Sequence, residues 1–119
     1  MDLELDFGLR LLAAVALGLA LGLERELTNH PAGMRTMALV SGGSALFTMI
    51  GTSSFGHAVV DPTRIAAQVV TGVGFLGAGA ILRQGASVKG LTSAAAIWIV
   101  AAIGMAAGFG HYGIAIVAT

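Results

Sequence analysis

Two short stretches of this chain carry residue types able to do chemistry. The first is Glu24-Arg25-Glu26, followed ten residues later by Arg35. Carboxylate and guanidinium groups brought together form ion pairs or hold ligands. An ionisable group that dips away from water is expensive unless it is paired. Glu24 directly follows Leu23, so it is the one expected to dip, with Arg35 as its nearest basic partner and Arg64 a more remote one. Glu26 and His30 read as charges that simply anchor a helix end. The second stretch is Asp61-Pro62-Thr63-Arg64, with Gln68 one turn further on. Asp61 suits a helix N-cap and Pro62 the first helical position. Arg64 and Gln68, four apart, share a helix face, and Asp61 or Asp6 is the natural ion-pair partner of Arg64.

Directly after Gln68 comes Gly72-Val73-Gly74-Phe75-Leu76-Gly77-Ala78-Gly79. Each glycine weakens a helix by about 1 kcal/mol relative to alanine. Gly72, Gly74, Gly77 and Gly79 therefore mark either a broken helix or a face packed closely against a neighbour. Broken helices at membrane depth line ion or substrate sites. The run also matches the spacing G-x-G-x-x-G, but that fingerprint must leave a strand, open a helix and precede an acidic residue about 20 positions on. Here it lies inside an apolar run, and no acidic residue follows Asp61. Nucleotide binding is excluded.

The rest of the inventory is sparse. There is no cysteine, so disulfides, thiolate metal sites and cysteine nucleophiles are all absent. His57 and His111 stand alone, and no group of carboxylates resembles a divalent-cation cage. Ser53, Ser54 and His57 are neighbours without the arrangement of a nucleophile and its base. The expectation is a protein that is not an enzyme and holds no cofactor or metal. Arg10 reads as a side chain that snorkels to the interface, and Thr92 with Ser93 caps a helix or bonds to a neighbouring one.

The elements that must position these residues follow from composition. Hydrophobic residues are 56% of 119 and charged residues 10%, with a mean hydropathy of +0.90. A soluble domain carries about 25% charged residues, so the solvent around most of this chain is expected to be lipid. Four apolar runs, Phe7–Leu23, Met37–Phe55, Ile65–Leu82 and Leu91–Phe109, are each close to the ~20 residues that cross a bilayer as a helix. Helix is required, because lipid offers backbone amides no partner, and the runs lack the alternation of barrel strands. A fifth run starts at Tyr112 and has only the residues to Thr119; it reads either as a short cap lying at the interface or, the favoured expectation, as the start of a fifth helix in a protein that continues. The expected fold is an all-α polytopic transmembrane bundle of four full spans plus the start of a fifth, one domain over residues 1–119.

Arg25 and Arg35 in one connection, and Arg83 and Lys89 in another, place those two loops in the cytoplasm by the positive-inside rule. The N-terminus, acidic at Asp2, Glu4 and Asp6 and unlike a cleaved signal, is then outside. Zero net charge argues against nucleic acid as a partner. Helices in lipid associate through small residues. Ala14, Gly18 and Gly22 form such a stripe, as do Gly104 and Gly108, joining helices of one chain or of a homo-oligomer.

Four motifs together carry a resemblance: Gly22-Leu23-Glu24-Arg25-Glu26, then Ala32-Gly33-Met34-Arg35-Thr36, then the long block from Arg64 to Ile81, then Val88-Lys89-Gly90-Leu91-Thr92-Ser93-Ala94-Ala95. In this order they resemble the MgtC/SapB family over nearly the whole chain. The resemblance implies a bacterial inner-membrane protein of about five helices, linked to growth at low magnesium and to survival inside macrophages. It implies regulation rather than magnesium transport, with the membrane sector of ATP synthase as a partner of at least one member. The family-pattern positions kept here are Glu24, Arg25, Arg35, Asp61, Arg64 and Gln68. Position 92 is Thr where some virulence-associated members have Asn. Three functions remain in competition, the lowest-ranked being a structural part of an oligomeric scaffold. One is a regulator that docks its helices on another membrane protein. Another is an ion or small-solute transporter built around Arg64, Gln68 and a broken third helix.

Overall fold

The computed structural model describes residues 3–28, 32–52, 62–83 and 88–119. They form five α-helices: α1 (Leu3–Leu27), α2 (Met34–Thr52), α3 (Pro62–Arg83), α4 (Val88–Gly108) and α5 (Tyr112–Ala118). No strand occurs among the described residues. Each of α1 to α4 begins about one turn before its apolar run, because the helical backbone ladder continues through polar side chains as readily as apolar ones. The last residues of the second run, 53–55, lie outside the described residues. At 1.5 Å per residue the four long helices are about 28 to 37 Å in length. Among the described residues, the segments Glu4–Leu27 and Leu91–Gly108 are long and apolar enough to cross a membrane.

The helices run alternately up and down. α1, α2 and α4 pack on one another, α3 lies against α4 and the flank of α2, and α5 turns back along α4 to touch α1. The interlock depends on small residues. A Cβ added at Gly18 would stand 2.7 Å from the Met37 carbonyl oxygen, and one at Gly22 would stand 2.5 Å from Met34 Cα. On α4, a Cβ at Gly104 would collide with the Ser41 backbone, and one at Gly108 would lie 2.8 Å from the Ala45 carbonyl oxygen. The Ala14, Gly18, Gly22 stripe thus seats α2 within the chain, and the Gly104, Gly108 stripe seats α2 from the other side. Ser41, fully buried where the three helices meet, donates its hydroxyl to the Ala14 carbonyl at 2.7 Å.

The distribution of side chains is inverted relative to a water-soluble domain. The buried positions are dominated by Ala, Gly, Ser and Thr, with Met37, Met49, Val100 and Ile103 as the larger exceptions. Outside stand Leu12, Leu39, Phe47, Phe75, Trp98 and Val117, the last 88% exposed. The other hydroxyls along α2 from Ser44 onward are satisfied inside their own helix: Ser44 donates to Val40 O, Thr48 to Ser44 O and Thr52 to Thr48 O, at 2.7–2.8 Å. Such i−4 bonds neutralise a hydroxyl without needing water.

The connection from α4 to α5 is set by one glycine. Gly110 adopts φ +84°, a left-handed conformation that a side chain would strain. The His111 amide then reaches Ala106 O at 2.8 Å and the Gly110 amide reaches Ala107 O at 3.0 Å, the paired bonds of a Schellman C-cap. At the α1–α2 turn, Glu26 does more than anchor a helix end. Its Oε1 accepts the Met34 amide at 2.9 Å and so satisfies one of the free donors that open α2.

Candidate functional site at the two ends of the bundle

The polar residues singled out by the sequence divide between opposite ends of the bundle. α1 is antiparallel to α2 and α4, so the C-terminal turn of α1 lies beside the N-terminal turns of both. Glu24, Arg25, Arg35 and Thr92 occupy this end. Arg64 and Gln68, in the first turns of α3, occupy the other, near Gly51 at the end of α2. Asp61 lies outside the described residues. The residues therefore do not converge on one buried site.

At the first end the expected pair Glu24–Arg35 does not form. Both side chains are exposed, and neither takes part in an ion pair among the described residues. The buried charge is instead their neighbour Arg25, 6% exposed, whose Nη2 donates to Ser93 Oγ at 2.8 Å. The correction has a geometric cause. Position 25 falls three residues after Gly22, on the helix face turned toward α4, while position 24 is rotated by about 100° toward the outside. Ser93, fully buried, is thus an inter-helix partner, and adjacent Thr92 is exposed. Arg25 Nε is buried without a hydrogen-bond acceptor among the described residues.

At the other end Asp6 is already engaged. Arg10 Nη2 meets Asp6 Oδ2 at 2.9 Å, and Arg10 Nη1 donates to the Gly108 carbonyl at 2.9 Å. Arg10 thereby clasps the start of α1 to the last turn of α4, which favours a cation at that carbonyl-rich terminus. The sequence offers Asp61 or Asp6 as the partner of Arg64 and reads Arg10 as a snorkelling side chain; Asp61 lies outside the described residues, and Asp6 is taken by Arg10. The i,i+4 spacing of Asp6 and Arg10 was the signal available for the true pair. Arg64 is exposed.

α3 is one continuous helix through all its glycines. A Cβ at Gly72, Gly74 or Gly79 would meet nothing within 4 Å, and one at Gly77 would make ordinary 3.4 Å contact with Ala94 Cβ. The break expected as one reading is not formed, and close packing holds at Gly77 alone of the four. Because α3 leans on α4 more than on α2, a groove of about 600 Å³ opens between α2 and α3. Its walls are Leu39, Val40, Phe47, Ile50, Ile65, Val69, Val73 and Leu76, with Gln68 and Ser44 as its polar side chains. Such walls suit an apolar occupant, and no polar path crosses the described part of the bundle through it. Among the described residues no three His, Asp or Glu side chains come together.

A model of the MgtC family matches residues 11–119, which include the whole α1–α4 interlock, Arg25 and Ser93. The chain belongs to the MgtC family. It is 51% identical over 114 residues to the Escherichia coli (strain K12) protein named "Putative magnesium transporter YhiD", a match covering 90% of this chain and 53% of that protein. Against "Protein MgtC" of Salmonella typhimurium (strain LT2) it is 48% identical over 111 residues, covering 93% and 47%. A Haemophilus influenzae relative is 42% identical over 118 residues, covering 92% and 50%. The chain spans about half the length of the curated relatives it matches. No solved structure matches it. Membership brings the resemblance read from the four motifs onto firm ground, and all four fall within the matched residues.

Proposed function

We propose that this MgtC-family chain is a multi-pass, non-enzymatic protein of the bacterial inner membrane that regulates another membrane protein by helix docking. The observation that carries the membrane part is the inverted distribution of side chains. Exposed Leu, Phe and Trp side chains ring a core of Gly, Ala, Ser and Thr, which is stable only where the surrounding solvent is itself apolar. In this reading α1 to α4 are complete spans and α5 begins a fifth. The N-terminus is outside, and the Arg25, Arg35, Arg83, Lys89 end is cytoplasmic by the positive-inside rule.

The regulatory part is supported by the self-contained polar groups and by the apolar groove. Ser41, Ser44, Thr48 and Thr52 of α2 each donate to a helix carbonyl, and the described charged residues lie at the two ends. Neither arrangement offers a charged substrate a path, whereas the α2–α3 groove offers an apolar helix a seat. The family resemblance points to a role in growth at low magnesium and in intracellular survival, with the membrane sector of ATP synthase as the partner to test first. Complementation of a strain lacking its own MgtC-family protein, grown at low magnesium, tests the role. Failure of the chain to restore growth while it is present in the membrane fraction would refute it. A transporter is the second reading, favoured by Gln68 in the groove wall and by the name of the YhiD relative. Magnesium flux into liposomes holding the purified chain, abolished by Arg64→Ala, would replace the first reading with the second.

A further inference from the structure

The two arginines of α1 have opposite electrostatic situations. Arg10 has a carboxylate, Asp6, at 2.9 Å. Arg25 is more deeply buried, at 6% exposed, yet among the described residues its one bond is to the neutral Ser93 hydroxyl; its Nε, like that of Arg10, has no acceptor there. A guanidinium stays charged at any ordinary pH and carries five donors. A buried charge left without a counter-charge is strongly destabilising.

The six carboxylates of the chain can be followed one by one. Glu4 and Asp6 lie at the far end of α1, about 28 Å from Arg25 along the helix axis. Glu24 is exposed on another face, and Glu26 is occupied by the Met34 amide. The remaining two, Asp2 and Asp61, lie outside the described residues. Among the described residues none supplies a counter-ion for Arg25.

We propose that Arg25, with Ser93 beside it, is the base of a phosphate-binding site that takes an oxyanion from outside the chain. The fork of Nε and Nη donors matches two oxygens of a tetrahedral phosphate. Its neighbours Glu24 on α1 and Thr92 on α4 are exposed, so the guanidinium lies just beneath the surface of this end. Of the six basic residues in the chain, Arg25, Arg35, Arg83 and Lys89 belong to this end by sequence, against only Glu24 and Glu26 of the six acids. That excess favours an anion here and disfavours one at the acidic end. The choice of phosphate over a carboxylate rests on the membrane reading above. At the cytoplasmic end of two bilayer-length helices the abundant anion is a phospholipid headgroup, and basic pockets between spanning helices take such groups.

The test uses the whole chain purified in a neutral detergent. Binding is read by native mass spectrometry and by the rise in melting temperature on adding phosphatidylglycerol, in parallel with inorganic phosphate alone. Wild type should retain phosphatidylglycerol and melt higher. Arg25→Met should weaken binding roughly tenfold to a hundredfold, as loss of a charged hydrogen bond implies. The same variant should melt no lower than wild type in phosphate-free detergent, because it removes an uncompensated charge. If Arg25→Met fails to fold, Arg25→Lys decides: it keeps the charge but not the fork, and should weaken binding by about tenfold. Arg35→Gln, on the exposed surface of the same end, should weaken binding less than Arg25→Met does. An effect of phosphatidylglycerol alone assigns the headgroup, and an equal effect of inorganic phosphate assigns the free anion. Binding of neither, or equal binding by the Arg25 variants, overturns the proposal. Carbonate washing of membranes tests the membrane reading separately. A chain that resists washing but ignores both phosphate sources breaks this inference alone.

Discussion

The glycines of α1 and α4 and those of α3 are the same residue doing opposite things. Gly18, Gly22, Gly104 and Gly108 are places where another helix backbone occupies the volume of a side chain. Gly72, Gly74 and Gly79 face open space. The first set is an intrachain lock, which gains dispersion and close approach where no hydrophobic force drives helices together. The second set leaves α3 smooth on its outer face and sacrifices helix propensity with no contact inside the chain in return. The lesson is that a small-residue stripe is informative only once the opposite surface is known.

The sharpest break of this comparison comes at Gly104. Gly104→Val would drive a branched side chain into the Ser41 backbone, at a cost of about 3 kcal/mol, the upper part of the overpacking range. Thermal unfolding in detergent should show the loss, and an unchanged melting temperature would mean that α2 and α4 do not pack as described. Gly22→Ala should lose roughly 1–3 kcal/mol, since its Cβ would meet Met34 Cα at 2.5 Å and neither backbone can yield alone. Arg10→Met should cost about 1–2 kcal/mol by removing the charged bond to Gly108 O. It should also loosen the end of α4, read as faster amide exchange at Phe109 to His111. The smallest effect has the opposite sign. Gly72→Ala should stabilise by roughly 0.5–1 kcal/mol through helix propensity alone. A destabilised Gly72→Ala chain would show that α3 has a partner against that face.

Much of the fold was legible in the sequence because its causes are local. Apolar runs with few charges make helices under the demands of lipid. The candidate site was less legible. Glu24 looked like the ionisable group at risk because it touches Leu23 in sequence, whereas burial depends on angular position against a partner helix, which put Arg25 inside. Asp6 and Arg10 carried an i,i+4 signal that outweighs the more remote pairing with Arg64. Ser93 was readable only as a hydroxyl that caps or bonds to a neighbour, since its donor lies 68 positions away.

By itself, then, the sequence determined helix number, approximate boundaries, the segregation of charge to the ends and the family motifs, all properties of contiguous residues. Tertiary structure alone decided which glycines are sealed and which are open, and that α3 runs unbroken beside a groove. It alone decided that Arg25 is the buried cation. These outcomes depend on how helices rotate about their axes and which neighbours they meet. A rotation of about 100° per residue is enough to exchange an exposed charge for a buried one.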